Sequence, residues 1–414
     1  MAVSSFVRTR IVIGAVALAF ASAPRAAAGQ ASDPPPATGA RVGPLQIDPT
    51  IAVSVGLDTN VLNEAEHAKR DYMVRVNPQA RVAMRLARAT VAATVAAPMH
   101  HFRVYTDQDS NGVRGELRLE LRLNRFKPYV NEGFVKSSER SGPEIDARVP
   151  RVEHILGVGT EVTLSRRFTL TLGAERTVSS FGGNAFYDNV NLSQALDRRG
   201  ESAAIAVRYA ITSLTRLVVT ADRVRERFDF QRERNSDSLR VLPGIEFDPA
   251  AFIRGKATVG FRRFDVADGR LEDFSGAIAS VDLSSTIRDG TLLAASVRRD
   301  VAYSYDPIEP YYVVDGIAAA MTQSIAERWR ITVQGERQRL SYRGIDFGRP
   351  TSFDSAERST PRVDQLYTLS GGMQYRIRQN LGVGIVVESS RRLSGMVRRE
   401  YKGTRFLSAV TYGS

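Results

Sequence analysis

Glu116-Leu117-Arg118-Leu119-Glu120-Leu121-Arg122-Leu123-Asn124 alternates without a break. The four leucines share one face of an extended chain, and the charged and polar residues share the other. Period two is the signature of a strand, because successive side chains point to opposite faces. One such strand would suit any half-buried sheet. The pattern recurs to the end of the chain, and the links between repeats alternate between short and long. That combination specifies a transmembrane β-barrel.

Working outward, strands are expected to begin near Leu45, Asp71, Arg88, Arg114, Lys127, Arg151, Phe168, Glu201 and Leu214. They continue near Ser238, Ala251, Phe274, Gly290, Tyr311, Arg328, Asp364, Asn380 and Thr404. The fold class is all-β: an antiparallel up-and-down barrel of about eighteen strands, with sixteen or twenty as the alternatives. Short links are expected at Leu86-Ala87, Arg125-Phe126, Ser165–Arg167, Thr212-Ser213, Asp248-Pro249, Arg288-Asp289, Ala326-Glu327 and Arg378-Gln379. Long links rich in Asp, Asn, Gly, Arg and Ser lie between them. Short turns on one side and long loops on the other assign the turns to the periplasm and the loops to the exterior. Ser179–Gly200 and Gly344–Val363 are the longest loops and the expected constrictions.

The faces follow from cost. A lysine or arginine facing lipid near the midplane costs about 2–4 kcal/mol. The apolar row must therefore face lipid and the polar row the lumen. The expected pore-lining residues are Arg118, Arg122, Arg254, Lys256, Arg262 and Arg330, with Glu116, Glu120 and Glu336. Tyr311–Thr322 alternates poorly, and its faces are not assigned. Phe126, Phe168, Phe252 and Trp329 fit a periplasmic aromatic belt, and Tyr105, Phe228, Phe264, Tyr303, Tyr342 and Tyr401 an outer one.

Composition narrows the chemistry. The chain has 414 residues, no cysteine and a net charge of +12. Lack of cysteine excludes disulfides, thiolate metal sites and cysteine catalysis, and suits passage through an oxidising periplasm. Five lysines stand among the 57 basic residues, so the charge is nearly all arginine. A GC-rich genome gives the same bias, so the excess alone assigns no partner. Arg8 and Arg10, the apolar run Ile11–Phe20 and the small residues Ala26-Ala27-Ala28 read as a secretory signal. That run falls short of the ~20 residues a spanning helix needs. Residues 1–28 are thus expected to be the signal, 29–44 a flexible periplasmic leader and 45–414 the barrel.

Three stretches resemble a known family. They are Gly56-Leu57-Asp58-Thr59-Asn60-Val61; Gly244-Ile245-Glu246-Phe247-Asp248-Pro249 with Arg254-Gly255-Lys256-Ala257 and Gly260-Phe261-Arg262-Arg263-Phe264; and Arg299-Asp300-Val301-Ala302-Tyr303-Ser304 with Pro310-Tyr311-Tyr312-Val313. They are similar to the outer-membrane proteins called putative β-barrel porin type 2, often associated with exopolysaccharide production. The resemblance implies an outer-membrane barrel of a Gram-negative bacterium, with a role in polysaccharide export. It supplies no catalytic residue. Such barrels usually end on an aromatic residue, whereas this chain ends Tyr412-Gly413-Ser414.

Other motifs carry less. Asp107-Gln108-Asp109-Ser110-Asn111-Gly112 matches the first half of a calcium loop, but Arg118 stands where the closing acid belongs. His100-His101 is an isolated pair. No G-x-S-x-G, H-E-x-x-H or phosphate-binding glycine loop occurs. The reading is a porin-like channel passing anionic solutes or serving exopolysaccharide export. The alternative is a non-conducting structural or adhesive barrel acting through its loops. No enzyme, cofactor or nucleic-acid partner is expected. The expected partners are outer-membrane lipid, lipopolysaccharide, an anionic polysaccharide or small anions, and the outer-membrane assembly machinery.

Overall fold

The computed structural model describes residues 39–287, 290–344 and 362–413. The expected signal and most of the leader, the Arg288-Asp289 link and the middle of the Gly344–Val363 loop lie outside them. Eighteen antiparallel strands form one closed sheet. The first six are β1 (Leu45–Asp58), β2 (Asp71–Arg85), β3 (Ala89–Ala96 continued by Met99–Phe102), β4 (Ser110–Asn111 continued by Val113–Leu121), β5 (Phe126–Ser137) and β6 (Arg151–Thr163). The next six are β7 (Phe168–Phe181), β8 (Arg198–Ala210), β9 (Thr215–Phe228), β10 (Ser236–Phe247), β11 (Ile253–Val266) and β12 (Phe274–Ile287). The last are β13 (Thr291–Tyr303), β14 (Tyr311–Ile325), β15 (Trp329–Arg343), β16 (Val363–Arg378), β17 (Leu381–Ser394) and β18 (Tyr401–Tyr412). Each strand pairs with its successor, and β1 pairs with β18 from Ile51↔Tyr412 to Asp58↔Arg405, which closes the ring. Closure removes the unpaired edges that hydrocarbon could not solvate. Ala40–Val42, within the stretch read as leader, forms a short strand on the start of β1.

Alternation along the strands decides which side is which. Leu117, Leu119 and Leu121 on β4 are exposed, as are Val259 and Phe261 on β11 and Ile331 and Val333 on β15. Their neighbours of opposite parity point to the concave side. Arg240 on β10 and Arg262 on β11 both reach Asp300 on β13, at 3.4 and 2.5 Å. Pairs that skip strands in this way close only across the interior.

The upper ends of β13 and β14 depart from the barrel wall. β11 pairs with β12 as far as Phe264↔Phe274, whereas β12 pairs with β13 only from Ala279↔Arg299 downward. Above that level the β13–β14 tip bends inward while still paired to β15. One face of the tip (Val301, Tyr311, Val313) packs on Phe264, Phe274 and Ile278. The other (Ala302, Tyr312, Val314) packs on Leu340 and Tyr342. Both faces are buried, so the tip occupies the lumen. This is why Tyr311–Thr322 alternates poorly. The outer aromatic belt is corrected as well: Tyr105 is half-buried and packs on Val61, Met73 and Phe102. Phe228, Phe264, Tyr342 and Tyr401 are buried on the inner side. Tyr303 is bonded to Ser236 and packs edge-on against Phe228. The set at the short-turn end, Phe126, Phe168, Phe252 and Trp329, is exposed as a belt requires.

Candidate functional site

The site is the lumen with its outer closure. Glu116, Arg118 and Glu120 stand on the inward row of β4, with Arg118 paired to Glu120 at 3.3 Å and lying over the Tyr129 ring. Arg122 falls beyond the end of β4, exposed in the turn, and donates to the Leu86 carbonyl at 3.2 Å. On β11, Arg254 donates to Thr286 at 2.8 Å, and Lys256 lies between Glu246 and Asp282 in register without an ion pair. Arg262 is 4% exposed, so it is inward but sealed. It holds Ser238 at 3.0 Å as well as Asp300. On β15, Arg330 makes no ion pair among the described residues, and Glu336 accepts from Gln338. The structure thus divides the nominated cations. Arg254, Lys256 and Arg330 are half-buried and form no ion pair among the described residues, although Glu246 and Asp282 flank Lys256 in register, whereas Arg118 and Arg262 are neutralised.

The closure is built on the loop between β5 and β6, residues 138–150, which crosses the mouth to β16 and β17. Arg392 on β17 is fully buried and binds Asp146 of this strap at 2.8 Å. The same guanidinium donates to the Pro143 and Glu144 carbonyls, both at 3.2 Å, and to Asp364 of β16 at 2.5 Å. Glu144 accepts from the Ser304 hydroxyl at 2.6 Å and the Tyr305 amide at 3.2 Å, which ties the strap to the inward tip. Arg140 donates to the Val61 carbonyl at 2.8 Å in the first long loop. Ile145 and Val149 then pack with Phe181, with Leu192, Ala195 and Leu196 of the short helix α1 (Leu192–Leu196), and with Tyr305. Arg234 locks α1 to the tip, donating to the carbonyls of Ala195 and Pro310 at 3.0 Å each and to that of Ser304.

Enclosure sets the charge state of the strap. Burial, the largest influence on Glu144, pushes its carboxyl up to about 7. The Ser304 hydrogen bond and the nearby Arg362, Arg399 and Arg392 oppose that shift without cancelling it. Arg148 is pushed down to about 9, by burial first and then by Arg140 and Arg405. Of the expected constriction loops, Ser179–Gly200 contributes α1 to the closure. The strap itself was not singled out by sequence. Its signal is Ile145 and Val149, two large apolar residues in a loop that is otherwise charged and small.

The remaining motifs resolve locally. Asp109 accepts from the Phe102 amide at 2.7 Å and approaches His101 at 3.1 Å, so it serves the turn. His100 and His101 occupy opposite faces of β3, the first near Glu139. Among the described residues no group of three or more His, Asp or Glu side chains could hold a metal.

A profile of the family described as Putative beta-barrel porin 2 matches residues 33–413. No curated protein matches the chain. Among solved structures it is similar to a BenF-like porin from Pseudomonas fluorescens Pf-5, at 11% identity over 88% of this chain and 98% of that one, with a TM-score of 0.45. It is also similar to OpdQ from Pseudomonas aeruginosa, at 9% identity over 89% and 97% with a TM-score of 0.43. The siderophore receptor PirA from Acinetobacter baumannii stands at 9% identity over 88% and 80%, with a TM-score of 0.44. At those scores the likeness says nothing of solute.

Proposed function

The chain belongs to the Putative beta-barrel porin 2 family, and from that premise we propose that it is a gated outer-membrane channel favouring anionic solutes. One observation carries the reading: Arg254, Lys256 and Arg330 line the wall without ion pairs among the described residues, beneath a strap fastened by polar bonds to Arg392. Unpaired cations in a narrow, low-dielectric passage raise the local concentration of anions. Acidic oligosaccharides fall in this class, as does the polysaccharide export that the family resemblance implies. The strap is the gate in this reading, because releasing a few contacts frees it while the sheet stays intact.

Planar bilayers holding the full protein test the proposal. The native channel should conduct rarely and prefer chloride to potassium, and Asp146→Asn should raise its open probability. Acidic oligosaccharide added on the periplasmic side should reduce the current. Cation preference would reject the anion reading. Silence of both native and Asp146→Asn proteins would favour a structural barrel working through its loops, a reading that the buried Ile145–Leu192 cluster supports.

A further inference from the structure

The outer wall carries a site of its own. On β6 to β9 the outward row holds Leu156, Val158, Ala174 and Ala203, which line an open recess of about 550 Å³. The recess exists because alanines face outward where neighbouring strands carry larger side chains. Register places Ala174 opposite both Val158 and Ala203, and Ala203 opposite Arg223. One step toward the long loops, Arg176 stands opposite Leu156 and Glu201, and Glu201 opposite Arg225. The recess therefore has an apolar floor of Leu156, Val158, Ala174 and Ala203, with Arg223 level with Ala203 and with Arg176 and Arg225 one step higher on either side of Glu201, three guanidiniums to one carboxylate on the outward rows.

Height fixes what the arginines meet. Arg176 lies eight residues above Phe168 of the periplasmic belt. At ~3.4 Å per residue and a tilt near 40°, that is roughly 20 Å, close to the top of an apolar band of about 25 Å. Nearby outward arginines are satisfied by protein: Arg199 by Asp229 at 3.1 Å, Arg227 by Asp237 at 3.0 Å and Arg263 by Asp265 at 2.9 Å. Arg225 reaches Asp237 only at 3.8 Å, and Arg176 and Arg223 make no ion pair among the described residues. Unpaired guanidiniums at a lipid boundary call for an anionic headgroup, and phosphate suits their fork of donors.

We propose that this recess binds a phosphorylated glycolipid of the outer leaflet. An acyl chain lies against Leu156, Ala174 and Ala203, and a phosphate rests on Arg176, Arg223 and Arg225. The assignment of leaflet rests on the outer-membrane reading above. The choice of a glycolipid over a phospholipid follows from the long-loop side being the exterior.

The test uses the full protein in detergent, titrated with bis-phosphorylated lipid A and followed by native mass spectrometry. Dephosphorylated lipid A and phosphatidylglycerol serve as comparison ligands. Arg176→Gln/Arg223→Gln/Arg225→Gln should weaken lipid A binding at least tenfold. Arg337→Gln/Arg339→Gln/Arg391→Gln, on exposed residues of β15 and β17 away from the recess, should not. Ala203→Leu fills the recess without altering charge and should weaken binding several-fold. It keeps the test decisive if the triple variant fails to fold, which heat-modifiable gel migration reports. Equal loss in both triple variants would reduce the site to a diffuse basic belt. No loss in any variant, or equal binding of phosphatidylglycerol, would overturn the proposal. None of these outcomes depends on conductance, so the channel reading stands or falls separately.

Discussion

Single arginines in this barrel do three different jobs, and neighbours decide which. Arg392 serves as a fastener, and its removal leaves the buried Asp364 and the half-buried Asp146 with less compensation. Breaking a buried pair from one side costs about 3–5 kcal/mol. Arg392→Leu should therefore free the strap, read as new protease cleavage within 138–150 on a barrel that still resists the protease. Glu144 should make the closure pH-dependent. Its docked carboxyl titrates at about 7, against an ordinary value of 4.5 when released. A raised carboxyl favours docking fully below the ordinary value and loses that advantage as pH climbs to the docked one. Docking should weaken from pH 4.5 to 7 by up to about 3 kcal/mol. Open probability should rise across that window, and Glu144→Gln should flatten the rise. A slope of opposite sign would mean that the surrounding arginines outweigh burial. The face of each arginine was legible in sequence, because period two reports it directly. The partner was not: Arg262 and Arg330 share a parity, and only the inward bend of β13 brings Asp300 to the first.

At the level of elements, strand number, ring closure and the positions of the short turns among the described residues all follow from one repeating pattern, and those were readable. Lost alternation was readable too, although its meaning was not. Tyr311-Tyr312-Val313-Val314 is apolar on both faces, as a strand buried on both sides should be. Lipid cannot supply the second covered face to a strand whose other side meets water, so the tip enters the lumen. Tyr311 and Ile317 lie on the same face of β14, yet Tyr311 is 2% exposed and Ile317 61%. The chain has a single tryptophan, Trp329, so Trp329→Phe gives a dark background. On it, Ile317→Trp should be strongly quenched by brominated lipid, and Tyr311→Trp should not. Equal quenching would return the tip of β14 to the wall.

For the molecule as a whole, orientation comes first. An epitope at Asn184 should be reached by antibody on intact cells, and one at Arg166 should not; the reverse would invert the barrel. Charge comes next. Counting residues by parity overstates the effective cations, because the network of Asp222, Arg240, Asp300 and Arg262 is closed on itself and buried. Selectivity should depend instead on Arg254, Lys256 and Arg330. Arg254→Ser/Lys256→Ser/Arg330→Ser should lower anion preference and leave the midpoint of urea unfolding nearly unchanged. Arg262→Ser should do the opposite, since it strips the largely enclosed Asp300 of one of its two arginines, a loss bounded by the about 3–5 kcal/mol of a fully buried broken pair. Fixed charge is screened over ~10 Å at 0.1 M salt and ~3 Å at 1 M. The native preference should therefore be marked in dilute salt and fade in concentrated salt. Reversal potentials across a gradient measure it. If Arg262→Ser shifted selectivity as far as the triple variant without loss of stability, the sealed network would have to be an open part of the pore.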